Sequence, residues 1–369
     1  MAGRLKLPEA ALTEIYRCFR CGYCRSACPT FAVTGSESWN ARGRLLLARA
    51  LLEGQLEPTP GLLDRLFSCN SCLACEAVCP AVVKVVEALV ALKEALITSG
   101  AELPDRIVRL AEAVVEQGSP FASGAREFTA QGERPADVLV FAGCVTSELE
   151  PSIIRALEKL LDAAGLSYSV LEGPCCGLPL LKMGFRHRAA KAARRLADKL
   201  KAAEAELVIT PCPMCFEMLL RYLPRLAGLN VRAEHVSIFL KRLLREGKLV
   251  LKRKVELKAT YHDPCVLGRG LGIYEAPREL IWQAGLALVE MPRSKRSSAC
   301  CGYGHLNFLA YPELADAIAE ERVKEALAAG ADMLITACPS CLHALSEAAR
   351  RVARALAVSD ITEVLTELV

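Results

Sequence analysis

Two copies of one string, Cys-x-x-Cys-x-x-Cys-x-x-x-Cys-Pro, constrain this chain more than any other feature: Cys18, Cys21, Cys24, Cys28 with Pro29, and Cys69, Cys72, Cys75, Cys79 with Pro80. This is iron-sulfur spacing. Thiolates three residues apart on a tight loop can reach different irons of one cubane, and a remote cysteine before proline supplies the last corner. In a two-cluster arrangement that fourth cysteine serves the other cluster. The expected sets are therefore Cys18, Cys21, Cys24 with Cys79, and Cys69, Cys72, Cys75 with Cys28. A pair of zinc knots is the alternative, but structural zinc closes with four ligands and has no use for the third step or the terminal Cys-Pro.

The other ten of the 18 cysteines also repeat. Cys144, Cys175-Cys176 and Cys212-Pro-Met-Cys215 are followed by Cys265, Cys300-Cys301 and Cys338-Pro-Ser-Cys341. Both sets read Cys, Cys-Cys-Gly, Cys-Pro-x-Cys. The segments ELVITPCPMCFEML (206–219) and DMLITACPSCLHAL (332–345) align without a gap. A duplicated five-cysteine unit follows. Vicinal cysteines fit one tetrahedral ion poorly, whereas a multi-iron cluster offers them separate or shared irons. Disulfides are the other alternative, and a chain without an export signal meets reducing thiol pools.

Composition narrows the function classes. At 369 residues the chain can form two or three domains with real cores. The apolar stretch at 81–97 is broken by Lys84, Glu87, Lys93 and Glu94, so no transmembrane span is expected. The first residues lack the apolar region of a secretory signal. The expected location is the cytoplasm, with any peripheral seat on the inner membrane face reached through a partner. A net charge of +4 argues against nucleic acid, the more so because cysteines ionise on binding metal. The basic run at 241–258 reads as a solvated helix-to-strand connection.

Residues 1–100 show helical periodicity, with stops at Gly54 and Gly100, and predict an all-α domain with two clusters. A further helix opened by Pro104 and a Gly/Ser/Pro-rich linker occupy 101–135. From 136 the grammar becomes strand-helix alternation. Strands are expected in 138–144, 168–173, 206–212, 258–265, 286–291 and 332–338, with helices at about 151–164 and 186–205. Two related α/β units, 136–250 and 251–369, follow. Their cysteines fall where strands end and helices begin, a place where free N–H groups stabilise thiolates. Gly-Arg-Gly-Leu-Gly at 268–272, with Glu290 beyond it, imitates a dinucleotide fingerprint, but Ile273 stands where the third glycine is required.

RCFRCGYCRSACPTF and FSCNSCLACEAVCP resemble the helical dicluster ferredoxin module. PCCGLPL, HDPCVLGRGLGIYEAPREL, ACCGYG and TACPSC resemble the duplicated cysteine-rich CCG domain. The order ferredoxin, CCG, CCG resembles the D subunit of heterodisulfide reductase and is shared with the iron-sulfur subunits of glycolate oxidase and anaerobic glycerol-3-phosphate dehydrogenase. The resemblance implies noncubane [4Fe-4S] clusters in CCG domains that reduce a disulfide directly, with zinc or an ordinary cluster in one CCG site of some relatives. It also implies partners: a membrane cytochrome b in one branch, or an FAD-binding dehydrogenase subunit passing electrons to quinone in the other.

Two readings result. Either ferredoxin clusters pass electrons to CCG clusters that act on a thiol/disulfide substrate, or the chain relays electrons for a separate flavin subunit. His262, His305 and His343 crowd the second unit's cysteines. Disulfide reduction consumes protons, and imidazole is the side chain poised to supply them. His262 and His305 are thus the expected proton donors, the second unit the expected reactive site and the first a relay.

Overall fold

The computed structural model describes residues 5–121 and 136–369. Most of the expected linker, 122–135, lies outside the described residues. Before Val138 the described elements are helices, the longest being Ala41–Leu52, Val85–Thr98 and Asp105–Glu116. Local chemistry starts them. Asn40 caps the first by accepting from Gly43 N at 2.9 Å, and Thr59 caps Pro60–Phe67 with proline at its first position. Leu45, Ala48, Leu63, Leu66, Leu89, Leu92 and Leu96 fill the space between these helices. The two cysteine motifs form the ends of this bundle, each a loop running into a short helix, Cys24–Ala27 or Ala74–Ala77.

Two four-stranded parallel sheets follow. The first holds β1 (Val138–Phe141), β2 (Tyr168–Leu171), β3 (Leu207–Thr210) and β4 (Ala233–His235) in the order β2-β1-β3-β4. The second repeats it with β5 (Lys258–Tyr261), β6 (Ala287–Leu288), β7 (Met333–Thr336) and β8 (Ala357–Asp360), ordered β6-β5-β7-β8. The central strands β1, β3 and β7 are short runs rich in Val, Ile and Leu, as parallel strands covered on both faces require, and β5 is Lys-Ala-Thr-Tyr with its last three residues buried. The sequence pattern predicts three strands per unit; β4 and β8 are edge strands too short and too polar to show a period. The expected helices appear as Pro151–Ala163 and Arg186–Ala203.

The core does not stop at the expected boundaries. Leu157, Phe239 and Leu240 of the first α/β unit pack in one apolar cluster with Tyr261, Leu280 and Ile361 of the second. Leu92 and Leu96 of the helical part share another with Leu178, Leu181 and Leu196. Cysteine motifs far apart in sequence are thereby held against one another. The basic run is a connection, as expected: it ends the helix Val236–Arg245, where Lys241 and Arg245 pair with Glu279.

Candidate iron-sulfur centres

The helical part presents two cysteine-lined pockets. Cys18, Cys21 and Cys24 line the outer one together with Cys79, and Cys75 stands between the two pockets and lines both. Cys69, Cys72 and Cys75 line the inner one together with Cys28. The fourth cysteine of each motif thus lines the other motif's pocket. Each pocket could hold a four-iron cluster with one thiolate per iron. They differ in setting. Cys21 is exposed and Phe19 and Tyr23 beside it are 77% and 65% exposed, whereas Cys28 and Cys72 are buried. Cys28 Sγ lies 3.2 Å from Thr30 Oγ1 and 3.9 Å from an amine of buried Arg44. Burial pushes the Cys24 thiol up to about 11 in the metal-free chain, so binding metal there releases a proton.

Each α/β unit gathers its five cysteines at the carboxyl ends of its strands. In the first, the thiols act on one another in pairs, Cys144 with Cys175, Cys176 with Cys215, and Cys212 with Cys215. Gly143, at φ +74°, brings the backbone so close to Cys215 that an added Cβ would sit 2.7 Å from its Sγ. In the second, Cys265 and Cys301 both act on Cys300, and Cys301 Sγ is 3.4 Å from Cys341 Sγ. Cys212 and Cys338 are helix N-caps with proline following, and the backbone amides of Cys215 and Cys341 in the first turns act to lower their thiols. These thiol pairings pull Cys175 and Cys301 well below the ordinary thiol value, Cys175 through Cys144 and Cys176, Cys301 through Cys300 and Cys341. Their partners Cys144, Cys176, Cys215, Cys300 and Cys341 are pushed up in turn.

The second set also touches the inner pocket. Cys300 packs on Cys72, and the interaction of the two thiols, with burial opposing, lowers the Cys72 thiol to about 6. Cys72, Ala74 and Cys300 form one buried apolar cluster with Cys265 packed on it. The two CCG-type sets are neighbours in turn: the Cys212 charge acts on Cys338, and His235, between the Pro211 and Ala337 carbonyls, ties the two Cys-Pro turns together. At the far side, half-buried Cys144 lines a small pocket with Ser119, Ser147 and Gly173.

The histidines are placed differently from one another. His262 lies with Cys301 and Cys341 in a group whose ligand atoms are all within 4.8 Å, a set that also suits a tetrahedral ion. Its Nδ1 accepts from Arg322 Nε at 3.1 Å, which assigns the ring proton to Nε2. His305 does not join the second set. Its Nδ1 is 3.1 Å from the Asn70 carbonyl in the loop between Cys69 and Cys72, and its Nε2 has no partner among the described residues. Burial lowers both pKa values, that of His305 to about 3. His343 bonds Glu150 of the first unit at 2.8 Å.

Comparison with known proteins agrees with this layout. Residues 14–83 match the 4Fe-4S dicluster domain, and 138–220 and 259–346 match the cysteine-rich domain CCG. The chain is 31% identical to the D subunit of the dihydromethanophenazine:CoB–CoM heterodisulfide reductase of Methanosarcina barkeri, over 98% of this chain and 95% of that one. It belongs to the CCG-domain iron-sulfur oxidoreductase subunits. The corresponding protein of Methanosarcina mazei is 29% identical over the same shares. The EtfAB:quinone oxidoreductase of Syntrophomonas wolfei is 24% identical, and this chain spans 58% of it.

What reasoning on this CCG-domain sequence missed is mostly basic. Arg269, inside the false dinucleotide motif, donates from Nε to the Cys72 carbonyl at 2.7 Å and from Nη1 to the Ser298 carbonyl at 2.6 Å. Glu290 binds Arg278, which also grips buried Asp263 at 2.7 Å and so fixes the His262–Cys265 turn. Arg322 and Lys93 are buried as well. In sequence Lys93 counts only among the charges that break an apolar helix. Burial lowers it to about 8, which leaves it an ammonium near neutral pH.

Proposed function

We propose that the chain is the iron-sulfur subunit of a thiol/disulfide oxidoreductase complex. Its outer and inner pockets hold two [4Fe-4S] cubanes through the eight cysteines named above. Its two five-cysteine sets, Cys144, Cys175, Cys176, Cys212, Cys215 and Cys265, Cys300, Cys301, Cys338, Cys341, hold further four-iron clusters of the noncubane type. The observation that carries this reading is the packing of Cys72 against Cys300, which gives the inner pocket and the second set a common wall. When bound, such clusters supply one-electron storage, and cleaving a disulfide to two thiols takes two electrons and two protons. The near-complete overlap with the heterodisulfide reductase relatives supports a disulfide over a quinone as substrate.

The contacts support the order outer pocket, inner pocket, second set, first set. This order reverses the one expected from histidine placement. The second set lies between the inner pocket and the first set, with Cys265 half-buried as Cys144 is, while Cys144 lines the small pocket that a substrate would meet. Exposed Phe19, Tyr23 and Val82 ring the outer pocket and suit a docking partner that delivers electrons, a membrane cytochrome b or an FAD-binding subunit. The test is metal analysis with turnover. Anaerobically purified protein is expected to carry roughly 16 iron and to release two thiols per disulfide when fed by a reduced viologen. About 8 iron with stoichiometric zinc, or full iron and no thiol release from any disulfide, sinks the reading.

His262 is assigned a positioning role. Its Nδ1 is held by a guanidinium that gives no proton up, so the ring cannot cycle to imidazolium without losing Arg322; its Nε2–H instead supports Cys301. His305 pins the loop between Cys69 and Cys72 to the second unit. Replacing His262 by Gln is expected to keep the iron and lower turnover by roughly 10- to 100-fold, with the pH profile unmoved. A displaced profile would restore the proton-donor role.

A further inference from the structure

Arg44 lines the inner pocket, and Lys93 and Arg269, from two other parts of the chain, place their charges on its cysteines. Arg44, 1% exposed, brings Nη1 to 3.9 Å from Cys28 Sγ, with Nη2 on Thr30 and Ser68 hydroxyls and Nε on the Arg65 carbonyl. Lys93, 2% exposed, lies over the Phe67 ring with its charge acting on Cys69. Arg269 reaches in from the second α/β unit to the Cys72 carbonyl, its charge acting on Cys72, Cys265 and Cys300. Its Nη2 is buried without a partner among the described residues. Among the described residues none of the three makes an ion pair with a carboxylate. The acidic group facing the pocket is Glu76, whose charge acts on Cys75 and whose carboxylate accepts from Val86 N at 2.8 Å.

Buried cations without counter-ions are strongly unfavourable, and three around one pocket mean that an anion belongs there. A four-thiolate iron-sulfur cluster is that anion, and one-electron reduction makes it more negative still. Positive charge held in a water-poor wall therefore favours the reduced form and raises the reduction potential. Among the described residues no buried cation lines the outer pocket: of its two arginines, Arg20 is exposed, and Arg42, whose charge acts on Cys24 and Cys18, is spent on Glu37 at 2.7 Å.

We propose that Arg44, Lys93 and Arg269 form a cationic cage that makes the inner ferredoxin cluster the more easily reduced of the two, so that electrons run inward from the surface cluster toward the second CCG set. The three are positioning residues, and the inference rests on the cluster assignments proposed above. Arg269 has a second part in it, since it binds the helical part to the second unit and places its charge on both sides of the Cys72–Cys300 wall.

Redox titration of the anaerobic full-length chain, followed by electron paramagnetic resonance, tests this with iron content measured alongside. In the unaltered chain the cluster that disappears in Cys28→Ala is expected to be reduced first. Lys93→Met and Arg269→Gln are each expected to keep iron content and to lower its reduced-to-oxidised ratio at fixed potential at least tenfold, a shift of about 59 mV for a one-electron couple. Arg269→Lys is expected to restore most of the shift, and Arg42→Met to leave the inner cluster where it was. Selective loss of the inner cluster's iron from Lys93→Met and Arg269→Gln, with Arg269→Lys retaining it, equally supports the cage. Unchanged inner potential in both variants with full iron, earlier reduction of the outer cluster, or iron loss that Arg269→Lys does not rescue overturns it. Failure of the unaltered chain to bind two ferredoxin clusters overturns the cluster assignment instead, and the iron analysis separates the two.

Discussion

Replacing Cys28 by Ala is expected to remove the cluster of the inner pocket, whose other sulfurs belong to Cys69, Cys72 and Cys75, and to leave the outer pocket loaded. Cys28 sits between Cys24 and Pro29 in sequence, yet its side chain lines the inner pocket and is held there by Thr30 and Arg44. An alanine removes one of four thiolates and leaves Arg44 buried beside the gap. Iron content should fall by about four per chain. Reduction of the outer cluster should persist, but electron delivery to the CCG sets should stop, since Cys72 forms the wall shared with Cys300. The reciprocal change, Cys79→Ala, should empty the outer pocket alone. Spectra in which Cys28→Ala loses the outer signal and keeps the inner one would refute the crossed arrangement.

Much of this architecture was legible because metal-ligand spacing and strand-helix alternation are local signals. The Cys-x-x-Cys steps of the first 80 residues, the doubled Cys-Cys-Gly and Cys-Pro-x-Cys elements, and the central strands β1, β3, β5 and β7 all announce themselves within a window of about ten residues. Edge strands β4 and β8 do not, because three or four residues, mostly half-buried and partly polar, carry no period above noise. The larger omission was electrostatic. Arg44, Lys93, Arg269, Arg278 and Arg322 read in sequence as ordinary charges on helices and loops, since burial of a cation depends on an anion supplied by distant segments. Arg269 and Cys72 are 197 residues apart. A single signal could have found it: an arginine just past a strand-end turn, in a motif that fails as a nucleotide site, still needs something to bind. The histidines show the converse error. Proximity in sequence to Cys300 and Cys301 suggested that His305 serves the second set, whereas consecutive left-handed residues at His305 and Leu306 swing its ring toward Asn70.

The first CCG set can be addressed separately from the ferredoxin pockets through a glycine. Gly143 has φ +74° and ψ 168°, a backbone conformation reserved for glycine, and its missing Cβ is the space that Cys215 Sγ fills. In Gly143→Ala the new methyl, 2.7 Å from that sulfur, displaces one of the five cysteines, and a sulfur bound to metal cannot give way as a flexible side chain would. Iron is expected to fall by about four per chain, and thiol release from a disulfide to fall to background, while both ferredoxin signals still appear on reduction with viologen. Gly165→Ala separates this effect from simple backbone strain. Gly165 is also left-handed, at φ +67°, but a Cβ there meets nothing within 4 Å, so the expected cost is about 1–2 kcal/mol of stability with iron and turnover intact. If Gly143→Ala keeps all its iron but loses turnover, the small pocket at Cys144 is where substrate is blocked. If it keeps both, the first set is not the site that meets the disulfide, and the second set must take that place.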